Sequence, residues 1–227
     1  RLAQGYVVIL PGIEGHSWFN QWIARGLLQA EVPYAIDIFD WTTGYKGLGL
    51  YHLRSRKLQS DSIVVLTEKL VQYRTEYPDQ PIYLIGHSGG GAMSVLTLSQ
   101  LPESVRVNGA VLLGSSVSPW YDVVPALRQS QEGIWNFSSL GDLFFLGLGT
   151  TVAGTLDGWH TPSAGMIGFS NAVHRQVEQA GVSPLHEMPY QLKYAKYGNF
   201  AGHLGYVTPA FTANVVAPLL MQNAVCQ

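Results

Sequence analysis

The sequence predicts an α/β protein in which a mostly parallel sheet is covered by helices. Short apolar runs rich in β-branched residues alternate with longer amphipathic stretches, the rhythm of strand, crossover helix and strand. Of 227 residues, 47% are hydrophobic and only 12% charged, which suits buried strands and argues against a disordered or coiled-coil chain. No repeat, low-complexity tract or linker breaks the series, and the length favours one domain, residues 1–227, with a large core.

The strand candidates are Tyr6 to Leu10, Tyr34 to Phe39, Ile82 to Ile85, Ala110 to Leu113 and Ile134 to Phe137, with a weaker one between Val173 and Ala195. Ser17 to Leu28 and Ser60 to Tyr77 carry apolar residues at helical spacing, as in Ile63, Leu66, Leu70 and Tyr73, and read as crossover helices. A third helix is expected from just after Ser88 to Leu101-Pro102, where proline stops it, and a last one from about Pro209 to Met221.

The chemistry is signalled between residues 82 and 92. Ile82-Tyr83-Leu84-Ile85 is a strand, Gly86-His87-Ser88-Gly89-Gly90 a tight turn of the form G-x-S-x-G, and Gly91-Ala92 the start of a helix. Such an elbow holds its serine in a strained backbone conformation, and side chains at the flanking glycines would collide with the neighbouring strand and helix. The Ser88 hydroxyl then projects from the carboxyl end of the sheet. The backbone N–H of Gly89 lies at a helix N-terminus, where it can meet a developing oxyanion. The same residues without chemistry would make a Ser-Gly helix cap.

With its strand and helix in place, this motif resembles the nucleophile elbow of the α/β-hydrolases, and the resemblance covers nearly the whole chain from Tyr6 onward. Tyr6-Val7-Val8-Ile9-Leu10-Pro11-Gly12-Ile13 looks like that superfamily's oxyanion strand and the loop after it. Many members open the loop with His-Gly; here Pro11 replaces the histidine, and Ile13 inherits the role of second oxyanion donor. The resemblance implies an α/β-hydrolase fold and triad partners in the order serine, acid, histidine, and the short interval Gly114 to Gly133 makes it the compact form without a separate cap domain. His203, in the glycine-flanked loop 198–205 before the last helix, is the implied base among seven histidines. His87 adjoins the nucleophile, but neighbouring side chains at an elbow diverge, and His16, His52, His160, His174 and His186 fall on earlier segments. Asp142, a short turn beyond the strand Ile134 to Phe137, is the implied acid, with Asp157 as its competitor beyond a glycine-rich stretch.

Ser88, His203 and Asp142 would then act as nucleophile, general base and base-orienting acid, with oxyanion donors at Ile13 and Gly89. The interval Gly114 to Gly133 has room for about one helix, so an open site is expected, suited to small esters or the surface of a bulky, polymeric one. Trp18, Trp41, Trp120, Tyr121 and Trp159 fall in or near expected loops, where they line a pocket or pack in the core. Asn136-Phe137-Ser138 fits a glycosylation acceptor but lies in a strand expected to be buried. Gly147-Leu148-Gly149 with Gly154 has the wrong spacing for a dinucleotide loop, and the histidines show no paired ligand spacing, so neither cofactor nor metal is implied.

A formal net charge of −2 with scattered Lys and Arg gives no footprint for nucleic acid. Cys226 is the single cysteine, so no intrachain disulfide forms. The apolar stretch Leu143 to Leu156 is too short to span a bilayer as a helix, so a soluble protein is expected. The chain starts at Arg1 without methionine, and any removed targeting segment would lie upstream. Three functions compete at this point: hydrolysis of carboxylic esters, of thioesters or amides by the same residues, and non-catalytic binding on the same fold.

Overall fold

The structure, a computed structural model, describes residues 1–142 and 154–221. Its centre is a six-stranded sheet in the order β2-β1-β3-β4-β5-β6, built from β1 (Tyr6–Leu10), β2 (Ala35–Ile38), β3 (Ile82–His87), β4 (Val107–Leu113), β5 (Ser130–Ser138) and β6 (Leu185–Pro189). Every neighbouring pair is parallel. All six carboxyl ends therefore open on one edge, where α/β sheets place their ligands. Each expected strand is present, β4 and β5 starting three and four residues earlier than their apolar cores.

Both faces of the sheet are buried, which explains why β1 reads as an unbroken apolar run. Alternate residues serve opposite faces. Tyr6, Val8 and Leu10 pack with Ile63, Leu66 and Leu70 of α3 (Arg56–Glu76) and with Ala92, Met93 and Val95 of α4 (Gly89–Leu98). Val7 and Ile9 pack with Ile23 and Leu27 of α1 (Trp18–Gln29) and with Phe211, Val216 and Leu220 of the last helix. Removing a side chain such as Leu66 or Leu70 from water contributes roughly 1.5–3 kcal/mol.

The last helix runs as Pro209–Phe211, a π turn Thr212–Val216 and Ala217–Met221. Its first turn approaches α1 so closely that a Cβ on Gly26 would lie 2.5 Å from the Pro209 carbonyl. Helix α3 begins four residues before its expected start because Ser55 Oγ accepts the Leu58 N–H at 3.3 Å and caps it. A six-residue helix, α2 (Gly49–Arg54), was not foreseen. The interval after β4 holds one short helix, α5 (Val124–Arg128), as expected. The segment 173–195 divides into the end of a helix, Asn171–Ala180, and the edge strand β6. Asn136 is fully buried in β5, so its glycosylation pattern is masked by the fold. Most of the stretch Leu143 to Leu156, with Gly147-Leu148-Gly149, and Cys226 lie outside the described residues. Among the described residues no helix is long and apolar enough to cross a membrane.

Candidate active site

The elbow begins where β3 ends. Ser88 has φ 53° and ψ −117°, a left-handed conformation unfavourable to any residue with a Cβ. Its backbone is held on both sides: its N–H donates to the Leu113 carbonyl at 3.0 Å, and its carbonyl accepts the N–H groups of Gly91 at 3.0 Å and Ser116 at 3.1 Å. The flanking glycines have the steric reason expected of them. A Cβ on Gly86 would fall on the Gly90 carbonyl, and one on Gly90 would fall on the Leu10 carbonyl and 2.5 Å from that of Pro11. Backbone atoms that anchor β1 cannot move aside, so both positions require glycine.

Across the elbow lies the loop that follows β1. Ile13 N is 3.5 Å from the position a Cβ on Gly89 would take, so the two backbone groups assigned as oxyanion donors sit side by side. Glu14 folds its carboxylate back over Gly12 and accepts from Ser17 Oγ at 3.3 Å. Burial pushes the Glu14 carboxyl up; N–H donors of Glu14 itself and Gly12, the Ser17 hydroxyl and the nearby His203 oppose that rise.

His203 opens a 3-10 turn, His203–Val207, and is buried. Its Nδ1 meets Asp142 Oδ2 at 2.5 Å, with Asp142 itself buried. A carboxylate only accepts, so Nδ1 carries a proton, and in the neutral imidazole the lone pair then lies on Nε2. The loops bearing the two residues are tied together as well: Ser139 Oγ donates to the Ala201 carbonyl at 2.8 Å, and Gly141 lies against Ala201, where a Cβ would come within 2.8 Å. Asp157 is placed differently. Its Oδ1 accepts the Ser118 N–H at 2.9 Å, and Arg56 grips the Leu156 and Asp157 carbonyls at 3.1 and 2.6 Å, so it fastens its own loop to the strand β4 side.

His87 adds a contact that the sequence reading did not foresee. Its ring turns to His203: the ring centroids are 4.6 Å apart at 41°, and His87 Nε2 donates to the His203 carbonyl at 3.3 Å. Burial drives the His87 imidazole well below its ordinary range, and the neighbouring His203 adds to the effect. A neutral ring is thus held against His203, where a second cation would repel an imidazolium.

The sign of the pH effect follows. In the unfolded chain His87 returns to the ordinary imidazole value of 6.5, so below that pH the unfolded state binds the extra proton and stability falls as pH falls toward the lower native value. Replacing His87 with Gln, which keeps an N–H donor, should flatten the acid side of the stability profile by up to about 1.4 kcal/mol per pH unit. Urea unfolding at several pH values between about 5 and 7 reads this slope; equal slopes in wild type and variant would contradict a buried neutral His87.

Of the aromatic residues in expected loops, Trp41 is buried in the wall behind Gly89, whereas Trp18, Trp120 and Trp159 are exposed. His52 went unnoticed as anything but a histidine on an earlier segment, yet its Nδ1 lies 2.8 Å from the Ile13 carbonyl. No local signal marks it, because α2 is too short to announce itself. Among the described residues no group of three or more His, Cys, Asp or Glu could hold a metal ion.

The family described as serine aminopeptidase, S33 (Hydrolase_4) matches residues 2–138, more than half of the chain. The chain belongs to this family. It is a hydrolase of the α/β-hydrolase superfamily, and the matched span carries β1, its loop and the elbow but stops short of Asp142 and His203. Solved structures with the same fold are distant in sequence. The LpqC poly(3-hydroxybutyrate) depolymerase of Bordetella parapertussis aligns over 97% of this chain and 81% of its own, at 16% identity and TM-score 0.55. The esterase Pf2001 of Pyrococcus furiosus aligns over 86% and 78%, at 12% identity and TM-score 0.53. An acylaminoacyl peptidase of Pyrococcus horikoshii aligns over 97% of this chain but 36% of its own, at 11% identity and TM-score 0.57. No curated protein matches the sequence.

Proposed function

We propose that this S33-family hydrolase cleaves carboxylic esters through Ser88, His203 and Asp142, with the N–H groups of Ile13 and Gly89 as oxyanion donors. The observation that carries the reading is the buried contact between His203 Nδ1 and Asp142 at 2.5 Å, which in the neutral imidazole puts the proton on Nδ1 and the lone pair on Nε2. In the mechanism, Nε2 takes the Ser88 proton as the hydroxyl attacks the ester carbonyl, and Asp142 stabilises the imidazolium. The tetrahedral oxyanion is met by Ile13 and Gly89 N–H, each such donor being worth about 3–4 kcal/mol in the transition state. The imidazolium protonates the departing alcohol. Water then attacks the acyl-enzyme with His203 again as base, releasing the acid and restoring Ser88.

The surroundings favour an apolar acyl or alcohol group. Exposed Trp18 follows the oxyanion loop, exposed Leu140 precedes Asp142, and exposed Phe200 and Leu204 flank His203. A small or polymeric ester could rest on such a rim. A second reading is amide cleavage by the same residues, favoured by the description of the matching family as an aminopeptidase.

The test is labelling with a fluorophosphonate, mapped by peptide mass, beside hydrolysis of matched p-nitrophenyl esters and aminoacyl p-nitroanilides. Label on Ser88 with faster ester turnover is the expected result. Label on Ser88 with turnover of anilides alone would replace ester by amide hydrolysis, and folded protein that takes no label would overturn the nucleophile.

A further inference from the structure

The oxyanion loop lacks the His-Gly opening that shapes it in many α/β-hydrolases, so something else must fix the direction of the Ile13 N–H. Three consecutive carbonyls of the loop are each accounted for. Pro11 O accepts from Trp41 Nε1 at 2.7 Å, Gly12 O accepts from Gly15 N at 3.1 Å, and Ile13 O accepts from His52 Nδ1 at 2.8 Å. In a trans peptide the C=O and N–H point in opposite directions. With the Gly12 carbonyl committed to the Gly15 turn, the Ile13 N–H of that same peptide is turned the other way, and it is Ile13 N that lies beside Gly89.

The tautomer of His52 is set from its far side. The Thr43 N–H approaches Nε2 at 3.3 Å and Thr43 Oγ1 lies at 2.7 Å from it; a backbone N–H needs an acceptor, so Nε2 is bare and the proton sits on Nδ1, facing Ile13. The side chain is fully buried, and its ring meets Trp41 edge-on at 6.3 Å between centroids. Trp41 in turn lies against Gly89, with Cζ2 3.0 Å from where a Cβ would be, and Ser62 Oγ holds the Trp41 carbonyl at 2.9 Å.

We infer that His52, with Trp41, is a positioning residue that preorganises the Ile13 N–H for the oxyanion. This rests on the oxyanion role proposed above for Ile13. Neither side chain touches the reacting atoms; each pins a peptide next to the one whose N–H does. An N–H already aimed costs no reorganisation when the oxyanion forms, so its loss appears in the transition state and not in ground-state binding.

The experiment uses the whole chain and p-nitrophenyl butyrate, with His52→Phe, His52→Asn and Trp41→Phe. Removing one oxyanion donor outright typically costs about 10²–10³ in kcat, and misaiming it should cost less. His52→Phe and Trp41→Phe are each expected to lower kcat about ten- to a hundredfold with KM within about twofold. A trifluoromethyl ketone, whose adduct places an oxyanion in the same position, should weaken in parallel with kcat/KM. His52→Asn keeps a donor near the Nδ1 position and should recover most of the loss. Trp41→Phe keeps the aromatic wall and removes only the donor, so it carries the test should His52→Phe fail to fold. Folded variants with unchanged kcat and inhibitor affinity, or a loss confined to KM, would overturn the inference alone. A wild-type protein with neither label nor turnover would overturn it together with the proposed reaction.

Discussion

Ser88→Ala is expected to lower kcat by about 10⁴- to 10⁶-fold and to abolish fluorophosphonate labelling, the scale seen when a triad nucleophile is removed. At about 1.4 kcal/mol per decade this is a loss of some 5 to 8 kcal/mol of transition-state stabilisation, far beyond what a cap serine contributes. Folding should barely change, because the backbone bonds that clamp residue 88 do not involve its hydroxyl. A paired variant separates chemistry from strain. At φ 53° and ψ −117° the Cβ is itself unfavourable, and backbone strain of this kind costs of order 1–3 kcal/mol. Ser88→Gly should therefore be equally inactive yet melt a few degrees higher than Ser88→Ala, by about 2–4 °C per kcal/mol for a domain of this size. An alanine variant retaining even a hundredth of the wild-type rate would remove Ser88 from the mechanism.

The second large effect discriminates the two aspartates. Asp142→Asn should cost about 10⁴ in kcat, because an amide that donates to Nδ1 stabilises the wrong imidazole tautomer while leaving the geometry intact. Asp157→Asn keeps an amide oxygen for the Ser118 N–H and should change kcat by less than about threefold, with at most a small fall in thermal midpoint. Steady-state kinetics on one ester decide between them, and a reversed pattern would hand the acid role to Asp157.

What could be read before folding was the part written locally. Strands buried on both faces announce themselves as continuous runs such as Tyr6–Leu10, and the elbow packs its glycines, serine and helix start into eleven residues, 82–92. Strand β6 was faint because it is a half-buried edge whose residues, Leu185-His186-Glu187-Met188-Pro189, satisfy no strict alternation. The choice of Asp142 over Asp157 leaned on a resemblance, since only three-dimensional placement sends one carboxylate to His203 and the other to Ser118. The contacts of His87 with His203 and of His52 with Ile13 span 116 and 39 residues. Such long-range pairings leave no periodicity or spacing to detect, and His87 was set aside by an argument about Ser88 that was silent about the base.

The parallel sheet also has two margins. A strand at the border of a sheet offers unpaired N–H and C=O groups on which another chain can template itself, and proteins blunt such borders by brevity, charge or proline. Here β2 is four residues long and carries Asp37, whose Oδ2 is held by Lys69 at 2.5 Å and by Tyr6 at 2.8 Å. The opposite border, β6, is five residues long and ends in Pro189, which has no N–H to give. A core of strands as apolar as β1 and β3 is thereby flanked by short margins that carry a paired charge on one side and a proline on the other, the features by which sheet borders are kept from templating another chain.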